Sequence, residues 1–342
     1  MRILLTVDPE IPVPPVTYGG IERIADLLVR ALIEGGHEVA LIAREGSTCP
    51  ASRLFIWPGK SSQPTSDTLR NTWYLARAVR SFQPDVIHSF SRLAYLLPHL
   101  RSKRPLVMSY QREPRLRTVG LAARLAAPGI LTFTGCSEYI VGRGRRAGGH
   151  WLAIPNFVDT GRMTFQPYVA GDAPLVFLSR VESIKGASLA IAIARASGVR
   201  LIVAGNHADS GPEADYWREK IEPEIGHGGI EYVGPVDDAQ KIGLLGRARA
   251  MLVPIQWNEP FGIVFAEALA CGTPVISCPA GALPEIVRNG REGFLVKTLE
   301  EGCDAVRRLG EIDRAACRDR AERHFSVKAV VGCYVELYRG AA

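Results

Sequence analysis

The 342-residue sequence contains no apolar run close to the roughly 18 residues of a membrane span. Its longest uncharged stretch, residues 268–284, is interrupted by Gly272, Pro274, Pro279 and Gly281. The first residues read Met-Arg, a short strand-like run and then Asp8, which is too brief for a secretory leader. A cytoplasmic chain is therefore expected. Seven cysteines are scattered at 49, 136, 271, 278, 303, 317 and 333 without a C-x-x-C pair, which argues against a disulfide framework or zinc site. Three further motifs are missing. Without G-x-x-x-x-G-K-[ST] there is no P-loop, and without G-x-S-x-G no nucleophile elbow. No D-x-D pair or His/Asp cluster has ligand spacing, so no required metal is expected.

What is present describes a globular chain of two domains, with 47% apolar and 22% charged residues. The net charge of +6 is uneven. Residues 1–163 carry 21 Lys/Arg against 12 Asp/Glu, and the remainder 20 against 23. Such asymmetry points either to an anionic partner of the first half or to a merely solvated surface.

Strands and helices alternate along the chain. Short apolar runs at 3–7, 38–43, 86–88, 106–109 and 131–134 read as strands, and 21–34 as an amphipathic helix closed by Gly35-Gly36. The rhythm restarts after 167–174. Strands are expected at 175–179, 199–204, 230–233, 250–254 and 274–277, with helices at 187–196 and 326–338. The pattern predicts an α/β protein of two Rossmann-like parallel-sheet halves facing one another across a cleft. Ligands of such sheets bind beyond the carboxyl ends of the strands.

The search therefore starts just after the strands. Glu259-Pro-Phe-Gly-Ile-Val-Phe-Ala-Glu267 places an acid on either side of an expected helix start. A diphosphate suits a helix N-terminus, and carboxylates suit sugar and ribose hydroxyls. By spacing alone an ordinary helix with an acidic first turn fits as well. Arg180 and Lys185 follow the first strand of the second half, where two cations can stabilise a departing diphosphate or simply sit in solvent. Gly19-Gly20 opens the first helix and permits close backbone approach, or makes a flexible turn. His88 ends a strand toward the presumed cleft, where it can contact the acceptor or the donor sugar, although a lone His is more often structural and that reading is preferred. Gly142-x-Gly144-x-x-Ala147 mimics a dinucleotide fingerprint but lies inside helical sequence, not after a strand.

Taken together these residues resemble the retaining family 4 glycosyltransferases of GT-B architecture. The likeness runs through Gly19-Gly20-Ile-Glu22, Gly36-His37-Glu38-Val39, Ile154-Pro155-Asn156, Arg180…Lys185-Gly186, Val233-Gly234-Pro-Val236 and Glu259…Glu267. The resemblance implies a first domain over 1–163 for the acceptor and a second over 164–325 for a nucleotide-sugar donor of the UDP type. It also implies a last helix, 326–342, crossing back to the first domain. It assigns Arg180 and Lys185 to the diphosphate, Glu259 to the donor sugar, and the backbone of Phe261, Gly262, Ile263 and Val264 to sugar and phosphate. Glu267 goes to the ribose, Gly19 and Gly20 lie near phosphate and acceptor, and Val236 lies against the base. Where the family often carries a His near the reacting carbon, this sequence has Gln111, which can hydrogen-bond a sugar but cannot act as a base. The implied reaction needs no cofactor or metal. Its implied acceptor belongs to antibiotic, glycolipid or polysaccharide assembly and is anionic, lipid-linked or an oligosaccharide. No nucleic-acid motif is present, and peripheral contact with the inner membrane face is an expectation. A sugar-nucleotide epimerase and a non-catalytic nucleotide- or anion-binding protein are the alternatives.

Overall fold

The computed structural model describes residues 1–16 and 19–341. The chain divides into two compact units. The first runs from Met1 to Phe157 and includes the C-terminal helix Val327–Ala341; the second is Val158–Ser326.

The first unit is built on seven parallel strands: β1 (Arg2–Thr6), β2 (Glu38–Ala43), β3 (Arg53–Ile56), β4 (Val86–Ser89), β5 (Leu106–Tyr110), β6 (Leu131–Gly135) and β7 (His150–Ala153). Their order is β3-β2-β1-β4-β5-β6-β7. The central strands are buried on both faces, which is why they read as unbroken apolar runs and not as alternating patterns. Helix α1 (Gly20–Glu34) turns Ile24, Leu28, Val29 and Leu32 inward, at the spacing of a helical stripe. It ends at Gly35, followed by Gly36 at φ 79°. Helices α2 (Thr65–Phe82), α3 (Leu116–Leu125) and α4 (Glu138–Arg145) complete the unit. The Gly142/Gly144 motif lies inside α4, where the Cβ direction of Gly144 points into the Trp151 ring; it is a packing feature.

The second unit has six parallel strands: β8 (Leu175–Leu178), β9 (Leu201–Ala204), β10 (Ile230–Gly234), β11 (Ala250–Val253), β12 (Val275–Ser277) and β13 (Gly293–Leu295). Their order is β10-β9-β8-β11-β12-β13. Seven helices accompany them: α5 (Ala187–Ala196), α6 (Pro212–Tyr216), α7 (Asp238–Arg247), α8 (Ile263–Ala270), α9 (Leu283–Ile286), α10 (Leu299–Arg307) and α11 (Arg314–Phe325). Helix α8 is buried from Phe265 through Ala270 and is the hydrophobic centre of the unit. Arg314 of α11 is itself buried. It donates to the carbonyls of Gln166 (2.7 Å), Ala248 (3.0 Å) and Gly246 (3.1 Å). One cation thus satisfies three carbonyls that would otherwise be costly to bury.

In both sheets the strand order reverses once, between β1 and β4 and between β8 and β11. These switch points open a crevice at the carboxyl ends of the strands, where doubly wound sheets take their ligands.

Candidate functional site

In the second unit the switch point carries most of the expected residues. Arg180 follows β8 and pairs with Glu182, with its side chain 39% exposed. Lys185 sits in a 3-10 turn just beyond, and Glu259 in the loop after β11. Because β8 and β11 are neighbours, the two residues meet: Lys185 Nζ donates to Glu259 Oε2 at 2.7 Å, with side chains only 11% and 13% exposed. Trp257 completes the group. Its Nε1–H donates to the same carboxylate oxygen at 3.0 Å, and its ring lies 5.0 Å from the Lys185 ammonium. A cation, an acid and an aromatic ring therefore share one half-dry corner, in which the charge-assisted contacts are stronger than in water.

The backbone of Glu259 is fixed from below. Its carbonyl accepts from Ala282 N at 2.9 Å, and Gly281 packs directly against it. A Cβ on Gly281 would lie 2.2 Å from the Glu259 carbonyl oxygen, and its φ of 61° favours glycine independently.

Helix α8 starts only at Ile263. Gly262, at φ 84°, is its cap, and residues 259–262 are not helical. Of the eight steps from Glu259 to Glu267, regular helical rise therefore covers only the last four. The first turn presents backbone N–H groups without intrahelical partners at Ile263 and Val264, both half-exposed. Phe261 is buried, with its ring edge-on to Phe325 at 5.7 Å, so that only its backbone is available to a ligand. Glu267 lies one turn into α8, 5% exposed, and accepts from Lys241 Nζ of α7 at 2.6 Å. Lys241 also lies 3.1 Å from Asp238. Val236 is half-exposed in the connection between β10 and α7.

Sequence reasoning missed Lys241, Trp257 and Gly281. Lys241 follows a recognisable capping box, in which Asp237 accepts from Gln240 N and Gln240 accepts from Asp237 N, but nothing local connects it to Glu267. Trp257 stands two residues before Glu259 and could have been singled out. Gly281 lies far along the chain from the carbonyl it supports.

The first unit presents its own switch point. Gly19 and Gly20 stand at the start of α1; a Cβ on Gly19 would lie 2.6 Å from Pro15 Cβ and 2.9 Å from the Glu22 carboxylate. Gln111 follows β5 and is half-exposed. Asp8, just after β1, lies 3.4 Å from Arg112, and burial, reinforced by Glu10, raises its pKa to about 6.

His88 requires a correction. It does not face solvent or a ligand space: it is wholly buried, with Nδ1 2.5 Å from the Tyr338 hydroxyl and Nε2 2.6 Å from Ser109 Oγ. Its ring also packs on Phe90 and Tyr334. Desolvation lowers its pKa to about 3, so the ring is neutral. A sugar contact at His88 is excluded by its burial; the residue anchors the C-terminal helix to the sheet. Among the described residues, no three His, Cys, Asp or Glu side chains gather as a cation site.

Comparison with known proteins agrees with this architecture. Residues 167–322 match the family model of glycosyl transferases group 1, and residues 18–162 that of glycosyltransferase family 4. The chain belongs to these group 1/family 4 glycosyltransferases, and its two parallel sheets are the GT-B fold. The structure of AviGT4, a glycosyltransferase involved in avilamycin A biosynthesis, is similar with 26% identity and a TM-score of 0.72, covering 99% of this chain and 97% of that one. The Anabaena protein Alr3699/HepE, solved in complex with UDP and glucose, shares the fold at 18% identity and TM-score 0.74 over 98% of this chain and 99% of that one. The D-inositol 3-phosphate glycosyltransferase of Mycobacterium tuberculosis is 33% identical over 179 residues. That match covers 49% of this chain and only 37% of the length of that relative. No helix among the described residues is long and apolar enough to cross a membrane.

Proposed function

We propose that the protein transfers a sugar from a UDP-linked donor to an acceptor hydroxyl with retention of anomeric configuration. The observation that carries this reading is the 2.7 Å contact between Lys185 and Glu259 at the switch point, beside the N-terminus of α8. An acid and a cation held together there match the two ends of the bond to be broken. Glu259 accepts from donor-sugar hydroxyls, while Lys185 and Arg180 face the diphosphate. The backbone amides at the start of α8, after Gly262, hold the remaining phosphate oxygens, and Glu267 accepts from the ribose hydroxyls, oriented by Lys241.

In the proposed step the acceptor oxygen bonds to the anomeric carbon as the bond to the diphosphate oxygen breaks on the same face. The acceptor proton passes to that leaving oxygen, so no protein base is needed. Gln111 fits such a reaction, since an amide can hydrogen-bond the sugar but cannot take the proton. Catalysis is then positioning together with charge stabilisation of the leaving diphosphate. Gly20 contributes close backbone approach, and Val236 lies against the base.

The test is a thermal-shift screen of UDP, GDP and ADP, followed by incubation of the stabilising nucleotide's sugars with hydroxyl acceptors. AviGT4 and the mycobacterial relative, one from antibiotic biosynthesis and one named for D-inositol 3-phosphate, indicate which acceptors to try first. NMR of the product gives the anomeric configuration. Selective stabilisation by UDP and a product of unchanged configuration are expected. Epimerised donor without acceptor, or an inverted product, overturns the reading.

A further inference from the structure

Different parts of the second unit hold the two ends of the Lys185 side chain. The ammonium meets Glu259, but the turn at its root, Ser183–Lys185, is bound to α6. Ser183 N–H donates to Glu213 Oε2, and Ser183 Oγ donates to Glu213 Oε1, each at 2.7 Å. Tyr216 lies three residues further along α6, on the same face of the helix. Its hydroxyl accepts from Ser188 N–H at 3.0 Å and donates to Ser188 Oγ at 3.1 Å. Ser183 stands before Lys185 and Ser188 after it, so the two contacts bracket the cation.

Both serine amides need an acceptor from outside. Neither the turn nor α5 is capped by the side chain of the residue before it, Glu182 in one case and Gly186 in the other. The first N–H groups of such elements have no partner within them. Helix α6 supplies both acceptors, from 30 and 28 residues away along the chain. The helix is itself well anchored. Trp217, directly after it, is buried, its ring stacked on His207 at 4.1 Å and 4.6 Å from the Tyr232 ring. Tyr232 donates through its hydroxyl to the Gly205 carbonyl at 2.8 Å, and Val181 N–H donates to the Asn206 carbonyl at 2.8 Å. On its other side the Lys185 turn meets the loop that leads to Glu259. Gln256 N–H donates to the Ile184 carbonyl at 2.8 Å, and the Pro254 carbonyl leaves no room for a Cβ on Gly186. The turn is thus wedged between α6 and the loop after β11.

We propose that Glu213 and Tyr216 are positioning residues for the reaction: from α6 they fix the turn that aims Lys185 at the leaving diphosphate. This role rests on the proposed transferase reaction, in which Lys185 faces that group. A cation stabilises a leaving group only where the charge develops. The bond to Glu259 fixes the end of a long flexible side chain, and the bonds to Glu213 fix its root. A misplacement of about 1 Å in such a group costs on the order of a hundredfold in rate. Glu213 matters more than Tyr216, because a carboxylate that accepts two bonds binds the turn more strongly than a neutral hydroxyl binds the helix start.

The experiment is steady-state kinetics of sugar transfer from the UDP-linked donor, beside calorimetry with UDP, on single variants and on their combinations with Lys185→Met. Glu213→Ala is expected to lower kcat about tenfold and to leave donor KM and UDP affinity within about threefold, because alignment is lost while the ground-state contacts remain. Glu213→Gln should recover most of that loss: its amide oxygen accepts from Ser183 N–H, and its amide N–H donates to Ser183 Oγ. Tyr216→Phe should lower kcat by about threefold. In the Lys185→Met background, adding Glu213→Ala should change kcat by less than about twofold, since a residue that acts through Lys185 has nothing left to position. Glu213 and Tyr216 are half-exposed, and an unchanged thermal unfolding temperature confirms that the variants fold. Should Glu213→Ala unfold, Ser183→Ala at an exposed residue removes one of the two bonds and is expected to lower kcat about threefold in its place. A folded Glu213→Ala that turns over like the wild type overturns the proposal. So does a loss that Glu213→Gln does not restore, or one of equal size in the Lys185→Met background; those results describe general support of the fold. A wild type that transfers no sugar, or a Lys185→Met variant as active as the wild type, instead overturns the transferase reading and this role with it. The positioning inference fails alone when the wild type transfers sugar, Lys185→Met does not, and Glu213→Ala is unimpaired.

Discussion

The Lys185 ammonium donates to the Glu259 carboxylate at 2.7 Å, with both side chains almost withdrawn from water. Removing either partner leaves a charge that is neither solvated nor paired. Lys185→Met and Glu259→Gln are each expected to cost about 3 kcal/mol of stability, and the double variant clearly less than their sum. Urea unfolding of the four proteins measures the coupling. Each single variant should also lose at least a hundredfold in turnover, because the reacting bond loses one of its two contacts. Additive stability losses would show that the pair does not act as a unit.

Gly281 supports Glu259 through the backbone. Gly281→Ala places a Cβ 2.2 Å from the Glu259 carbonyl oxygen, at a φ of 61°. The loop must shift, and the left-handed conformation itself costs about 1–2 kcal/mol. A donor KM raised roughly tenfold or more is expected, with a smaller effect on nucleotide affinity, since Glu267 lies on a different element. Steady-state kinetics alongside calorimetry with UDP separates the two.

Lys241 orients Glu267 across the contact between α7 and α8. Lys241→Met should weaken nucleotide binding by about tenfold, the value of one charge-assisted hydrogen bond, and leave kcat at saturating donor within about twofold. An unchanged dissociation constant for UDP would remove Lys241 from the binding apparatus.

His88 makes the first unit sensitive to acid. Its folded pKa of about 3 lies below the ordinary 6.5 because the ring is fully desolvated. Between those values the unfolded chain binds a proton that the folded chain refuses, so stability falls as pH drops below 6.5, by up to about 1.4 kcal/mol per pH unit. Chemical denaturation at pH of about 7.5, 6 and 5, on either side of the ordinary value of about 6.5, checks the slope. His88→Gln should flatten it. Tyr338→Phe, which leaves the ring Nδ1 without its partner, should cost about 1–2 kcal/mol at every pH.

Asp8 acts in the opposite sense. Burial and Glu10 raise its pKa from 3.8 to about 6, so the folded state favours the protonated form. That contribution is complete below the unfolded value and is lost as pH rises through about 6. Asp8→Asn mimics the protonated carboxyl group. It should stabilise the protein by on the order of 2 kcal/mol at pH near 7.5 and by almost nothing at pH near 4. Equal effects at both pH values would show that the carboxyl group is not strained by its surroundings.

The limits of sequence reading follow a physical pattern. The central strands were legible because burial on both faces demands continuous apolar runs: β2, expected at residues 38–43, is Glu38–Ala43, and α5, expected at 187–196, is Ala187–Ala196. The unexpected strands are β3, β7 and β13, each of which ends a sheet. Edge strands are short and partly exposed, so the brief apolar runs of RLFI and HWLA, each led by a polar residue, give little to tell them from loop. The partners of His88 escaped the sequence for a related reason. Its position at a strand end is visible in the sequence, but the C-terminal helix that covers it begins more than two hundred residues later.

The linear order of residues by itself determined the alternating strands and helices, the two sheets, and the chemical kinds present: two acids around a helix start and two cations after a strand. Those properties are local, set by periodicity, glycine placement and burial. Only the tertiary structure decided which charges meet. Lys185 joins Glu259 because β8 and β11 are neighbours at a reversal of strand order, and Lys241 joins Glu267 because α7 packs on α8. Pairings across 74 and 26 residues are fixed by the packing of whole elements, and no spacing along the chain encodes them.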